Sequence, residues 1–392
     1  MTRPPRILFV HAGGRRERLA RLEQGGALAE EFFYGLPQLR RLGFDVDLLE
    51  TSDLEPSPHA LRFRWAAYKD RRRYRRLGMA HCERLFVGTR FDEYDVIIAG
   101  TEYVALGLLD HLRRTPNKPK LLFFVMGMLS KPLVGFQEGS RARDRALHRY
   151  RRLLQRASYA LFLGEGELQK ALEHFPELKG RLCLLPFGVD TGFWTPGDAQ
   201  SDGSLLFVGN DANRDVEMLV DLAAVMPERK FIALTARLKG RPVPPNLEVV
   251  VSGWKSEVLS DEEIRDYYRR AAAVILPIKD TWQPSGQSVA LQAMACGRPV
   301  VISDFAGFWE RGAFRDGEEI FYASPNSAAS FAVILSTLLS QPELAARVGE
   351  QARQLIIQRY SLDSFGQRLA RFVESAAAQE NSSRRERAAA AQ

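Results

Sequence analysis

Short, near-continuous apolar runs alternate along this chain with longer stretches of helical period. In the first half the runs are "RILFV" (Arg6–Val10), "DVDLLE" (Asp45–Glu50), "DVIIAG" (Asp95–Gly100), "LLFFVM" (Leu121–Met126), "YALFLG" (Tyr159–Gly164) and "RLCLLP" (Arg181–Pro186). Between the first two, a periodic helix is predicted from Ala27 to Arg41, closed by Gly43. The second half repeats the pattern with "SLLFVG" (Ser204–Gly209), "KFIALT" (Lys230–Thr235), "LEVVVSG" (Leu247–Gly253), "AVILPI" (Ala273–Ile278) and "PVVISD" (Pro299–Asp304). Helices are predicted over Asp215–Val225 and Asp261–Ala272, among others. Strands apolar on both faces belong to parallel sheets covered by helices on each side.

The predicted fold is therefore α/β, with two Rossmann-like, doubly wound domains, 1–190 and 191–360, facing a central cleft. "FGVDTGFWTPGDAQSDG" (Phe187–Gly203) reads as the linker. Late helices are predicted over Ala328–Ser340, Pro342–Arg359 and Ser361–Ser375, and 376–392 is expected to be a disordered tail. Ligands of such sheets collect at the carboxyl ends of the strands, which places the chemistry in the cleft.

Composition fits a soluble globular protein, with 45% hydrophobic and 26% charged residues among 392. The three cysteines lie far apart without CxxC spacing and the histidines are scattered, so neither a disulfide framework nor a metal site is expected. No apolar run approaches the roughly 18 residues of a spanning helix, and no signal-type segment precedes the first strand. The expectation is a cytoplasmic protein. Residues 1–190 carry 33 Lys and Arg against 23 Asp and Glu, concentrated in Arg62–Arg76 and Arg141–Arg156. A solvated arginine face accounts for this, as does a surface for an anionic membrane or substrate; no motif suggests nucleic acid.

"PSGQSVALQAMACGRPVVISD" (Pro284–Asp304) reads as a helix start, a glycine stop and a buried strand. The backbone N–H groups of Gly286, Gln287 and Ser288 favour an anion, yet no carboxylate occurs between Asp280 and Asp304. This stretch, the turn "DFAGFWE", the linker and a GG loop after the first strand together resemble family 4 retaining glycosyltransferases of the GT-B fold. The resemblance spans Ile7 to about Val373. It implies a nucleotide-sugar donor on the second domain, an acceptor on the first, a final helix crossing back, and no metal or other cofactor.

Carried over residue by residue, the resemblance assigns Gly25 and Gly26 to the phosphate-facing loop, with Gly13 and Gly14 weaker candidates. It implies a cationic clamp on the diphosphate. In "VGNDANRD" the usual Arg place, after Gly209, holds Asn210, and Arg214 is the best cation, with Lys279 a second. Trp254 either stacks on the base or anchors its loop. Glu310 faces the donor or complements a helix dipole, and Gly307 brings backbone close to the sugar. The family's Glu-x7-Glu pair falls on Pro284 and Gln292. Gln292 retains hydrogen-bonding capacity for a ribose, while Ser285, Gln287 and Asp280 are the nearest polar substitutes for the missing acid. Met126 stands where the family often shows histidine, and His11 is either a cleft residue or a structural one.

The function implied is transfer of a sugar, with retention, from a nucleotide-diphosphate sugar to a glycan, lipid-linked or small-molecule acceptor. Cell-envelope or exported-glycan synthesis, on the inner face of the plasma membrane, is the expected setting. A non-catalytic nucleotide-sugar-binding partner of another transferase is the alternative.

Overall fold

The computed structural model describes residues 3–54, 61–73, 86, 89–112, 118–198, 201–252 and 259–389. The first domain is built on β1 (Arg6–His11), β2 (Asp45–Glu50), β3 (Val96–Ala99), β4 (Lys120–Val125), β5 (Tyr159–Phe162) and β6 (Leu182–Leu184). They form one parallel sheet in the order β2-β1-β3-β4-β5-β6. The second domain repeats the design with β7 (Leu205–Val208), β8 (Phe231–Leu234), β9 (Leu247–Val250), β10 (Ala273–Leu276), β11 (Val300–Ser303) and β12 (Phe321–Ala323). Its parallel order is β12-β11-β10-β7-β8-β9. The expected strands are all present. β12, three residues long, was too short to leave a periodic signal.

In the first domain the helices are α1 (Arg15–Glu23), α2 (Leu36–Arg41), α3 (Leu61–Arg73), α4 (Glu102–Leu112), α5 (Ser130–Val134), α6 (Arg141–Leu154) and α7 (Glu165–His174). The second contributes α8 (Val216–Val225), α9 (Asp261–Arg270), α10 (Gln287–Ala295), α11 (Ala328–Ser340) and α12 (Pro342–Arg359). The last helix, α13 (Leu362–Ala389), follows. No single described helix is long and apolar enough to cross a membrane.

One expectation fails. In place of the single helix from Ala27 to Arg41 the chain forms a short 3-10 turn (Glu31–Phe33) and α2, with α1 ahead of them. Tyr34 (φ 53°) and Gly35 (φ 90°) break it with left-handed backbone, and Pro37 lies in the first turn of α2. α1 has too few apolar residues to be seen by periodicity. α13 runs on to Ala389, into the segment expected as a tail, whose Ala, Glu, Gln and Arg content has high helix propensity.

α13 leaves the second domain and packs on the first. Phe365, 1% exposed, lies 6.1 Å from the ring of Phe124 and 6.3 Å from that of Phe187. Gly35 and Gly188 make room for it: a Cβ on either would fall 3.1 or 2.6 Å from this phenylalanine. The linker is also ordered by packing, since Phe187, Val189, Phe193 and Trp194 are buried. Replacing Phe365 with Ala should lower stability by about 3–5 kcal/mol, read as a reduced urea midpoint of the first-domain transition.

Candidate active site

β7 ends at Val208, and the loop that begins with Gly209 returns Arg214 to the sheet as a bridge partner of Ile278, beside β10. The Arg214 side chain is consequently buried, 4% exposed, with Nε 3.0 Å from Asp211 Oδ2 but out of hydrogen-bond alignment. Its Nη1 is buried with no partner. Burial pulls its pKa down, and Asp211 works against that shift. Two left-handed glycines wall it in. A Cβ at Gly209 (φ 147°) would collide with Nε, and one at Gly286 (φ 84°) would lie 2.7 Å from Nη1. Arg214 is therefore fixed at the end of β7 and at the N-terminus of α10 together.

Gly286 is the N-cap of α10 and no side chain caps the helix. An uncapped helix start beside a partnerless guanidinium nitrogen is a strong anion receptor. Ser285 Oγ donates to Asp211 Oδ1 at 2.6 Å, which holds the loop in place. Asn210 ties the ends of three strands: Nδ2 donates to the Ser252 carbonyl, and Oδ1 accepts from Thr235 Oγ1 and the Ala236 N–H. Lys279 is exposed, and its backbone N–H bonds to the Asn213 carbonyl.

Other expected residues are engaged elsewhere. Both oxygens of Glu310 are taken, by Arg359 Nη2 at 2.7 Å and Tyr360 OH at 2.6 Å, so its carboxylate braces the end of α12. Gly25 and Gly26 do not precede a helix; they terminate α1, with Gly25 N–H on the Leu22 carbonyl and Gly26 N–H on that of Arg21. A helix C-terminus presents carbonyls and does not favour phosphate. Gly14 is instead the helix-starting glycine, and Glu50 already accepts from the Arg15 and Arg16 N–H groups there. Gly307 has its close backbone approach, to the Thr281 and Gln283 carbonyls. Trp254 lies outside the described residues.

The cleft is closed on this site. Gln292 is 5% exposed: Nε2 donates to Glu31 Oε1 of the first domain at 2.8 Å, and Oε1 accepts from Tyr268 OH at 3.1 Å. Trp194 Nε1 donates to the same Glu31 oxygen at 2.6 Å. A ribose at Gln292 would thus have to displace Glu31. Gln287 Nε2 donates to the Leu163 carbonyl, Glu165 N–H to that of Trp309, and Asp261 accepts from Arg18 and the Ala29 N–H. Pro284 packs against Gly164, where a Cβ would lie 2.8 Å away.

On the first-domain wall His11 is 2% exposed, with Nε2 unpartnered. Burial, with the Arg15 charge, holds its pKa well below the usual value, so the imidazole is neutral. Its ring stacks on Phe9 at 5.7 Å and lies 5.8 Å from Tyr34. Tyr34 OH in turn reaches Met126 Sδ at 3.7 Å.

Residues 202–341 match the family model "Glycosyl transferases group 1". The match lies within the second domain, which is similar to the group 1 glycosyl transferases. An alpha-maltose-1-phosphate synthase of Mycolicibacterium smegmatis is 26% identical over 240 residues, 54% of this chain and 61% of the relative. A D-inositol 3-phosphate glycosyltransferase of Frankia alni is 32% identical over 199 residues, 44% of this chain and 48% of its own. The chain spans about half the length of the curated relatives it matches. Among solved structures, sucrose-phosphate synthase from Thermosynechococcus elongatus superposes with TM-score 0.69 at 16% identity, covering 96% of this chain and 100% of that one. Anabaena HepE in complex with UDP gives 0.61 at 15%, covering 94% and 100%. The fold is GT-B.

On the first-domain side stand three buried carboxylates that sequence reasoning missed. Glu31 is raised to about 7 by burial, against the pull of its Gln292 and Trp194 hydrogen bonds. Glu102, opening α4, is raised to about 7 by burial and accepts the Met126 N–H at 3.2 Å. Glu167, in the first turn of α7, is raised to about 8 by burial and by the Glu102 charge, and accepts the Leu129 N–H at 2.8 Å. Together Glu102 and Glu167 hold the backbone that follows β4, which faces Gln283 through Gly127. The available signal was a glutamate just after a strand-ending glycine in "AGTEY" and "LGEGE".

Free glutamate titrates near 4.5, and these groups titrate near 7 to 8 in the fold. Between those limits the folded state binds more protons than the unfolded chain, so their contribution to stability falls as pH rises. Urea midpoints measured from pH 5 to 8 should show this decline, and Glu102→Gln/Glu167→Gln should flatten it.

Proposed function

We propose that the chain is a nucleotide-sugar-dependent glycosyltransferase that transfers its sugar with retention of anomeric configuration. The observation that carries the reading is Arg214, a buried guanidinium with an open Nη1 beside the uncapped start of α10. A diphosphate leaving group gathers negative charge as the glycosidic bond breaks. Preorganised donors at that position stabilise the transition state more than the ground state. HepE of Anabaena has been solved with UDP and with UDP-glucose, which supports a uridine nucleotide as the donor.

The acceptor would enter from the first domain, beside His11 and Tyr34. A neutral imidazole with a free Nε2 accepts a hydrogen bond from a sugar or inositol-like hydroxyl and orients it. The departing phosphate itself then takes the acceptor proton. This chemistry needs no carboxylate at Pro284 and no metal. We place the product in cell-envelope or exported-glycan synthesis, in the cytoplasm. Relatives named for maltose-1-phosphate and inositol phosphate chemistry also keep a soluble phosphorylated acceptor in view.

Calorimetry against UDP, GDP and UDP-glucose, with and without a chelator, tests the reading. UDP should bind without added metal, and Arg214→Ala should weaken it by about 10- to 100-fold, the loss of one charged hydrogen bond or two. Absence of binding to every nucleotide would overturn the proposal.

A further inference from the structure

We propose that Glu102 and Glu167 are positioning residues of the transferase site: the buried pair holds the loop after β4 against Gln283, and Gln283 passes that position through Asn213 to Arg214. The consequence for donor binding rests on the transferase reading; the contacts do not.

β4 ends at Val125, and Met126–Leu129 lead into α5. Two carboxylates hold this loop from inside the domain. Glu102 Oε2 accepts the Met126 N–H, and Glu167 Oε1 accepts that of Leu129, with the Gly127 and Ser130 N–H groups also turned toward Glu167. The two acids are 1% and 0% exposed. Around them Glu167 Oε2, Tyr150 OH and Ser130 Oγ are buried without a hydrogen-bond partner. An ionised carboxylate whose second oxygen meets no donor is costly to bury, and a protonated one is far less so. The titratable groups facing the pair are each other and the phenols of Tyr34, Tyr103 and Tyr150. No described cation pairs with either carboxylate. The protonated pair is the form that fits the site.

On its outer side the loop touches both walls of the cleft. Met126 Sδ accepts from Tyr34 OH, whose ring lies beside His11. Gly127 (φ 123°) meets the second domain so closely that a Cβ there would lie 2.8 Å from Gln283 Oε1. The same oxygen accepts from Asn213 Nδ2 at 3.1 Å, and the Asn213 carbonyl accepts the Lys279 N–H. Asn213 directly precedes Arg214. A run of close contacts thus leads from the acid pair, through one glycine and one glutamine, to the residue beside the buried guanidinium. Release of the loop removes the support behind Gln283 and with it the fixed setting of Arg214, and small misplacements of a binding group are expensive.

Ionisation works against the hold. Free glutamate titrates near 4.5, and in place Glu102 and Glu167 titrate near 7 and 8, so the held loop keeps protons that a released loop gives up. Raising the pH from 6 to 8 therefore favours release. Glutamine at both positions keeps the shape and the carbonyl acceptor and carries no titratable proton.

Hydrogen exchange of the full chain, without ligand and corrected for intrinsic rates, tests the hold and the relay. Between pH 6 and pH 8 the protection of segments 126–130 and 209–215 should fall together by about tenfold or more, since each proton released weakens the held form about tenfold per pH unit. In Glu102→Gln/Glu167→Gln both segments should keep their protection. If the thermal midpoint shows that the double variant is unfolded, each single variant should show about half of the wild-type slope. In Gln283→Ala the first segment should still respond and the second should not. Calorimetry with UDP reads the consequence: the double variant should match the wild type at pH 6 and bind about tenfold more tightly than it at pH 8. A 126–130 segment indifferent to pH, a wild-type response in the glutamine variants, or a 209–215 response that survives Gln283→Ala would overturn the proposal. So would equal UDP affinities at pH 8. UDP that binds at no pH, with the exchange pattern as expected, would overturn the transferase reading alone and leave the relay in place.

Discussion

The arrangement around the cleft depends on one buried charge. Arg214 sits where the end of β7 meets the start of α10, 3% exposed, between two glycines that cannot carry side chains without striking it. Removing a guanidinium from water costs several kcal/mol unless it is paired. Asp211 supplies part of the pairing, and Nη1 is left over. That asymmetry is the physical reason to expect an anion. The same loop spends Asn210 on binding three strand ends together, so the rigidity of the receptor and the loss of a second cation have one cause.

Closure of the two domains is equally specific. Glu31, fully buried, accepts from Gln292 across the cleft and from Trp194 in the linker. The position expected to face a ribose is thereby filled by a first-domain carboxylate. On the proposed function, a donor ribose at Gln292 would have to displace these hydrogen bonds, and burial raises the Glu31 pKa to about 7, within reach of neutral pH.

The sheets were legible because buried parallel strands are near-continuous apolar runs, and the short loop after β7 was legible as the carrier of a candidate cation, Arg214. Two kinds of feature were not. Glu31, Glu102 and Glu167 look like ordinary helix-start acids in one dimension; only packing reveals that they are buried and that one of them occupies Gln292. The break at Tyr34–Gly35 was hidden by a fair helical period, because its cause is distant: α13 lands there with Phe365 and Leu369. Glu310 shows the reverse case. A residue in the right place along the chain is diverted by Arg359 and Tyr360, which come from the end of α12.

A crystal structure of the full chain with UDP bound tests the central claim most directly. The account predicts diphosphate oxygens within hydrogen-bond distance of Arg214 Nη1 and of the first-turn N–H groups of α10, with Gln292 released from Glu31. UDP bound with its phosphates remote from Arg214, and the Glu31–Gln292 hydrogen bond intact, would contradict it.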